Sequence, residues 1–189
     1  MKIGIRRLPM YSKYERKISS EGLRMDKLVV FFSRRGENYA VGNLTEGNAE
    51  HIANVIEKIA GADIYEIKPA LPYSNSYKEC VQQAVAEFKS NARPEISNPI
   101  GSLDGYKTIY LCYPNWCGSF PRIVATFLQS HDLSGKTIYP MCTNEGSGMG
   151  RSVEELKRLA PNSIIKDGLS IRGTLAHCSD QLIQEWLEK

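Results

Sequence analysis

From Lys27 onward, continuous apolar runs alternate with stretches in which apolar residues recur every three or four positions. The run "KLVVFFS" (residues 27–33) is apolar until it closes on a small polar residue, which predicts a strand covered on both faces. After a polar interval, "GNAEHIANVIEKIAG" (residues 47–61) sets Ala49, Ile52, Ala53, Ile56, Ile59 and Ala60 at helical spacing, with Asn48 as N-cap and Gly61 as the stop. "ADIYEIKP" alternates apolar and polar residues up to Pro69 and predicts a more exposed strand. A second helix follows over "SYKECVQQAVAEFKSN" (residues 76–91), with Cys80, Val81, Ala84, Val85 and Phe88 inward.

The second half repeats the theme. "KTIYLCY" (residues 107–113) predicts a third strand, "PRIVATFLQSH" a helix opened by Pro121, and "KTIYPMC" (residues 136–142) a fourth strand. "GRSVEELKRLA" (residues 150–160) is another amphipathic helix, "NSIIKDGLSI" the last strand region, and "SDQLIQEWLEK" a closing helix with Leu182, Ile183, Trp186 and Leu187 inward. Five strands alternating with helices imply right-handed crossovers and a mostly parallel sheet covered on both faces, an α/β sandwich. In such sheets ligands bind outside the carboxyl ends of the strands, where strand order reverses. The loops after strands one, three and four, "SRRGENYAVGNLTEGNA", "PNWCGSF" and "TNEGSGMG", are rich in glycine, asparagine and hydroxyl residues beyond what turn chemistry requires.

Composition narrows the class. At 189 residues and 42% apolar, the chain suits one globular domain with a sizeable core. No run of eighteen apolar residues occurs and the first residues do not read as a secretory signal, so the expectation is cytoplasmic, with no membrane span. Five cysteines without paired spacing fit neither a disulfide framework nor a zinc motif and read as free thiols. The net charge of +3 is unevenly distributed: seven of the 24 basic and two of the 21 acidic residues lie in residues 1–24, so 17 basic and 19 acidic residues remain, a net of −2. The basic excess thus belongs to an N-terminal extension over residues 1–24, read either as a disordered arm or as an artefact of the start site with Met25 the true start; the folded domain is residues 25–189. That extension carries no nucleic-acid-binding motif, and no nucleic-acid partner is expected.

The loops suggest chemistry. A helix beginning at Asn48 presents unpaired N–H groups and the positive end of its dipole, Gly47 admits close approach, and Ser33 with Arg34 or Arg35 can add a hydroxyl and charge, so a phosphate fits there. In "TNEGSGMGRS" the glycines at 146, 148 and 150 have neither the spacing nor the position of a dinucleotide fingerprint. They suit main-chain amides brought against a flat polar ring edge, with Thr143 and Glu145 nearby. Cys112 and Cys117 bracket a tryptophan loop, but their spacing is not that of a thioredoxin-type pair. His51, His131 and His177 have no ligand spacing along the chain, so no metal is expected, and no nucleophile–base pair or carboxylate pair appears in the three loops.

Taken together, these residues resemble the flavodoxin-like FMN-binding proteins, in particular a subgroup with S-R-x-G-x-N, G-N-T, Y-P-x-W-x-G and C-T-x-x-G-S-G loops. Here they read Ser33-Arg34-Arg35-Gly36-Glu37-Asn38, Gly47-Asn48-Ala49, Tyr113-Pro114-Asn115-Trp116-Cys117-Gly118 and Cys142-Thr143-Asn144-Glu145-Gly146-Ser147-Gly148, and "NARPEI" around Arg93 and Pro94 is also similar. The resemblance spans residues 27–189. It implies a flavodoxin-like three-layer sandwich with a five-stranded parallel sheet in the order 2-1-3-4-5, helices on both faces and FMN at the carboxyl edge. Trp116 would lie against the isoalloxazine ring, Pro114 would stiffen its approach, and Gly118 with Asn115, Cys117 and the third loop would meet the ring's polar edge. Two departures stand out. About a dozen residues separate Ser33 from Asn48, so the first loop must bulge, which leaves open which half holds phosphate; and Ala49 replaces a threonine, removing a donor worth about 0.5–1.5 kcal/mol. The functions implied are electron transfer between redox partner proteins, an FMN-dependent NAD(P)H:quinone-type oxidoreductase with a small quinone-like acceptor, or a flavin-poor partner-binding module.

Overall fold

The structure, a computed structural model, describes residues 26–188, so the reading of residues 1–24 lies outside it. In chain order its elements are β1 (Lys27–Phe31), β2 (Gly36–Asn38), β3 (Gly42–Leu44), α1 (Asn48–Ala60), β4 (Asp63–Glu66), α2 (Tyr77–Lys89) and β5 (Thr108–Pro114), then α3 (Arg122–Gln129), β6 (Thr137–Asn144), α4 (Ser152–Leu159), β7 (Ile164–Ile165), β8 (Leu169–Arg172), a 3-10 turn (Gly173–Cys178) and α5 (Asp180–Leu187). The main sheet runs β4-β1-β5-β6-β7, with β8 also on β6, and every pairing in it is parallel.

Alternation along the apolar runs explains the layers. Successive side chains on a strand point to opposite faces. Leu28, Val30 and Phe32 therefore join Leu111, Tyr113 and the α3 residues Ile123, Val124 and Phe127 in one core. Val29 and Phe31 join Tyr110, Cys112, Met141 and the helical residues Ile52, Ala53, Ile56 and Ile183 in the other. Each such side chain removed from water contributes about 1.5–3 kcal/mol, so a run without polar interruptions is what a strand packed on both faces requires.

The predicted order 2-1-3-4-5 holds for the major strands, with one change in detail: the fifth strand is divided. Lys166 N–H donates to the Ile138 carbonyl at 2.9 Å, so Ile138 turns its polar groups toward the outer strand, and Pro140, two residues on, turns the same way. Proline has no N–H to give that neighbour, and the ladder breaks there between β7 and β8. Helix boundaries follow the predicted periods, but several details differ. Gly47, not Asn48, occupies the N-cap of α1, while Gly61 ends it at φ 59° as expected. Ile59, Val81 and Leu182 are exposed rather than inward, and Val55 completes the buried stripe of α1. Periodicity defines a stripe but not how far along the helix a neighbour covers it.

The bulge expected after β1 is a small antiparallel hairpin, β2 on β3, turning through Tyr39, Ala40 and Val41 with Ala40 at φ 62°. It is tied to the start of α2. The Arg34 guanidinium donates to the Ser74 and Asn75 carbonyls at 2.7 Å each, and the Glu37 carboxylate accepts the Tyr77 N–H at 2.8 Å. Among the described residues, no helix is long and apolar enough to cross a membrane.

Candidate functional site

The carboxyl ends of β1, β5 and β6 open into a cleft of about 470 Å³. Three walls are those the sequence singled out. Ser33, Arg34, Asn48 and Ala49 form one; Pro114, Asn115, Trp116 and Cys117 a second; Thr143, Asn144, Glu145 and Ser147 a third. The fourth wall was not anticipated: the hairpin residues Asn38, Tyr39 and Val41, with Tyr77, Cys80, Val81 and Ala84 of α2. Its signal in the sequence was ambiguous, because Cys80, Val81 and Ala84 lie on the apolar stripe that also predicts core. Gly173, likewise unanticipated, lines the cleft from the turn after β8.

At the first wall, Gly47 at the N-cap has no side chain, and α1 has no side-chain cap bond. A helix of 13 residues therefore begins with first-turn amides unsatisfied by a cap and with its positive dipole end facing the cleft. The glycine is required, since a Cβ there would stand 2.2 Å from Ser33 Oγ and 2.8 Å from the Arg34 carbonyl. Asn48 lines the cleft with its Oδ1 buried and without a hydrogen-bond partner. A buried polar atom left unpaired costs about 1–3 kcal/mol, and a hydroxyl-bearing ligand satisfies it. A Cβ on Gly173 would come within 2.4 Å of Asn48 Nδ2 and 2.8 Å of Glu145 Oε1, so the close fit of this corner depends on that glycine.

Neither arginine is free as an anion ligand. Arg35 lies outside the cleft in a bidentate pair with Glu50, whose Oε2 also accepts the Gly47 N–H at 3.0 Å. The hydrogen bond from Arg35, with the Gly47 amide and despite partial burial, holds the Glu50 carboxyl below its usual range. Arg34 lines the cleft but directs its guanidinium to the carbonyls of residues 74 and 75.

In the second wall, Trp116 and Ser119 close a tight turn through reciprocal backbone bonds of 2.8 and 3.0 Å, with Cys117 and Gly118 at φ 55° and 79°. Trp116 is held edge-on by Phe32 and Tyr73, ring centroids 5.4 and 4.9 Å away. Tyr39 and Tyr77 pair across the opposite wall at 5.9 Å. Aromatic surfaces at Trp116 and at the Tyr39–Tyr77 pair within one cleft suit a planar ring.

The glycine-rich loop departs from expectation. Gly118, Gly146 and Gly148 lie outside the cleft lining and their amides turn inward: Gly118 N–H donates to Asn115 Oδ1 at 3.0 Å, and the N–H groups of Gly146 and Gly148 both donate to Asn144 Oδ1 at 2.9 Å. These glycines build the loop instead of presenting donors. Asn115 completes the brace, its Nδ2 donating to the Gly148 carbonyl at 3.0 Å and its N–H to the Thr143 carbonyl at 2.7 Å. Glu145 accepts the Thr174 N–H at 2.8 Å, joining this loop to the 3-10 turn. Arg93 and Pro94 lie away from the cleft, where Arg93 donates to the Asn91 carbonyl and the Pro94 carbonyl accepts from Thr126.

Burial disfavours the thiolate at four of the five cysteines. All five are free; burial pushes the Cys142 thiol up to about 12, and raises those of Cys112, Cys80 and Cys117. A thiol held protonated is neither a good nucleophile nor a redox partner.

The flavodoxin family profile matches residues 27–189. Similar solved structures include two candidate flavoproteins from Bacteroides. The one from Bacteroides uniformis is 26% identical, with a TM-score of 0.72 over 87% of this chain and 99% of that one; the one from Bacteroides eggerthii is 28% identical, with 0.71 over 87% and 97%. A flavoprotein in complex with FMN from Lactobacillus acidophilus, 17% identical, shares the fold at a TM-score of 0.61 over 87% and 99%. No curated protein matches in sequence.

Proposed function

Because the chain belongs to the flavodoxin family, we propose that it binds FMN in the cleft at the carboxyl edge of the sheet and mediates electron transfer through it. The observation that carries this reading is the convergence, in one cleft, of an α1 N-terminus without a side-chain cap and an aromatic surface at Trp116. Those amides suit a phosphate, the Asn48 acceptor suits a ribityl hydroxyl, and Trp116 suits the ring. The complex of the Lactobacillus flavoprotein with FMN supports the choice of flavin. When bound, FMN supplies the one- or two-electron chemistry, and the protein contributes binding, orientation and exclusion of water. With Arg35 paired to Glu50 and Arg34 on carbonyl groups, phosphate affinity rests on backbone amides and Ser33 rather than on arginine charge. Of the residues first expected to bind FMN, Ser33, Arg34, Asn48, Ala49, Pro114, Asn115, Trp116, Cys117, Thr143, Asn144, Glu145 and Ser147 line the cleft, while Arg35, Gly47, Gly118, Gly146 and Gly148 shape the loops around it.

The test is a visible spectrum of the purified protein with and without added FMN, followed by stepwise reduction. Expected are a perturbed flavin spectrum at one equivalent and one-electron steps as reductant is added. No binding of added FMN would overturn the reading. Bound flavin reduced in a single two-electron step, with NAD(P)H oxidation coupled to a quinone, would make the protein a reductase instead of a carrier.

A further inference from the structure

Beside the cleft, residues distant along the chain meet in a way the cofactor reading does not use. Glu46 precedes the N-cap of α1, His51 lies in its first turns, and His177 comes from the 3-10 turn after β8. One ligand atom from each lies within 4.8 Å of the other two. Glu46 Oε2 is 3.3 Å from His51 Nδ1 and 3.7 Å from His177 Nδ1, and the two imidazole rings lie tilted to one another with centroids 4.3 Å apart. In a tetrahedral zinc site with bonds of about 2.0–2.1 Å, ligand atoms stand roughly 3.3 Å apart, so the carboxylate lies close to the required separation from both nitrogens.

The outer contacts fit the same geometry. His51 Nε2 is 3.1 Å from Asp180 Oδ1, the carboxylate–histidine arrangement that fixes a tautomer with Nδ1 free to bind metal. Asn54 Nδ2 donates to Glu46 Oε1 at 2.9 Å, which leaves Oε2 turned toward the histidines. A neutral imidazole has a single N–H, yet both nitrogens of His51 face carboxylate oxygens, so a neutral ring leaves one lone pair against a negative charge. A divalent cation held between Glu46, His51 and His177 would occupy that lone pair. We propose that Glu46, His51 and His177 form a binding site for a divalent metal ion of the zinc class, with Asp180 and Asn54 orienting the ligands and a fourth position open to water. Two imidazoles and one carboxylate with an open position are a donor set that zinc accepts. Side chains of Glu46 and His177 are about 40% exposed, which leaves the site an entry path.

The test uses tag-free full-length protein, treated with chelator and exchanged into metal-free buffer, then titrated with Zn2+ by calorimetry and with Co2+ by visible absorption. Expected is one equivalent bound with a tetrahedral Co2+ spectrum. His177→Gln and Glu46→Gln should each weaken binding at least about tenfold, and Asp180→Asn should weaken it about 10- to 100-fold. His131→Gln, the remaining histidine of the three, should leave it unchanged. In the wild-type protein, Zn2+ should protect His51 and His177 from diethylpyrocarbonate while His131 stays reactive, a readout independent of how any variant folds. No binding at millimolar Zn2+, equal loss in His131→Gln, or full binding in both His177→Gln and Glu46→Gln would overturn the proposal, as would absence of selective protection.

Discussion

Trp116 shows how much a single position can carry. Its ring is fixed from the side by Phe32 and Tyr73, so it is pre-oriented toward the cleft. Trp116→Ala should cost about 2 kcal/mol of FMN binding, roughly a thirtyfold rise in Kd by fluorescence titration, with Trp116→Phe falling between. The position was legible because a tryptophan follows a strand buried on both faces, within a proline, asparagine and glycine turn. Tyr39 and Tyr77 were not, since their approach depends on a hairpin no local pattern announces. The arginines misled for a related reason. Sequence places charge near a phosphate cradle but does not show that Glu50 and the carbonyls of residues 74 and 75 already engage it.

Between elements, two contacts hold the loops in register. The loop after β5 and the loop before α4 meet where Arg151 N–H donates to the Gly118 carbonyl at 2.8 Å, and a Cβ on Gly150, itself at φ 54°, would stand 2.3 Å from that oxygen. Gly150→Ala should destabilise by about 2–4 kcal/mol, lowering Tm by roughly 5–15 °C in a calorimetric scan. The second contact joins α3 to α4. Arg122, 4% exposed, donates to Glu155 Oε1 at 2.6 Å and to Asn91 Oδ1 at 2.7 Å, and Ser119 donates to the other Glu155 oxygen at 2.6 Å. Burial alone would raise the Glu155 carboxyl, but the Ser119 and Arg122 hydrogen bonds and the charges of Arg122 and Arg158 leave it below the ordinary 4.5. A depressed carboxyl stabilises the fold fully above its unfolded value, and that contribution disappears as pH falls through the folded one. Glu155→Gln should therefore cost about 3 kcal/mol at pH 7, and denaturant titrations should show the gap to wild type narrowing below about pH 4.5. The helices and the major strands were legible from period alone, but this pair was not, because its partners lie 33 residues apart on different elements.

For the whole molecule, ligand and fold are linked. The proposed FMN site draws on the loops after β1, β5 and β6 together, so binding should stabilise the entire domain. At FMN a hundredfold above Kd the gain is about 2.7 kcal/mol, which calorimetry would read as a Tm rise of roughly 5–10 °C. The succession of major strands and helices was legible after Lys27 from the apolar runs and helical periods, whereas the order of those strands in the sheet came from the resemblance to the flavodoxin-like proteins. The histidine cluster and the divided last strand were not, for each depends on side chains or backbone groups brought together from distant segments.

The break at Pro140 has a consequence for behaviour in concentrated solution. An outer strand that runs unbroken presents a row of free N–H and C=O groups on which another chain can add a strand, the first step toward aggregation. Here that edge consists of two residues in β7 and four in β8, interrupted between them. A missing amide proton one strand inward thus shortens the template that this edge of the sheet offers to other copies of the molecule.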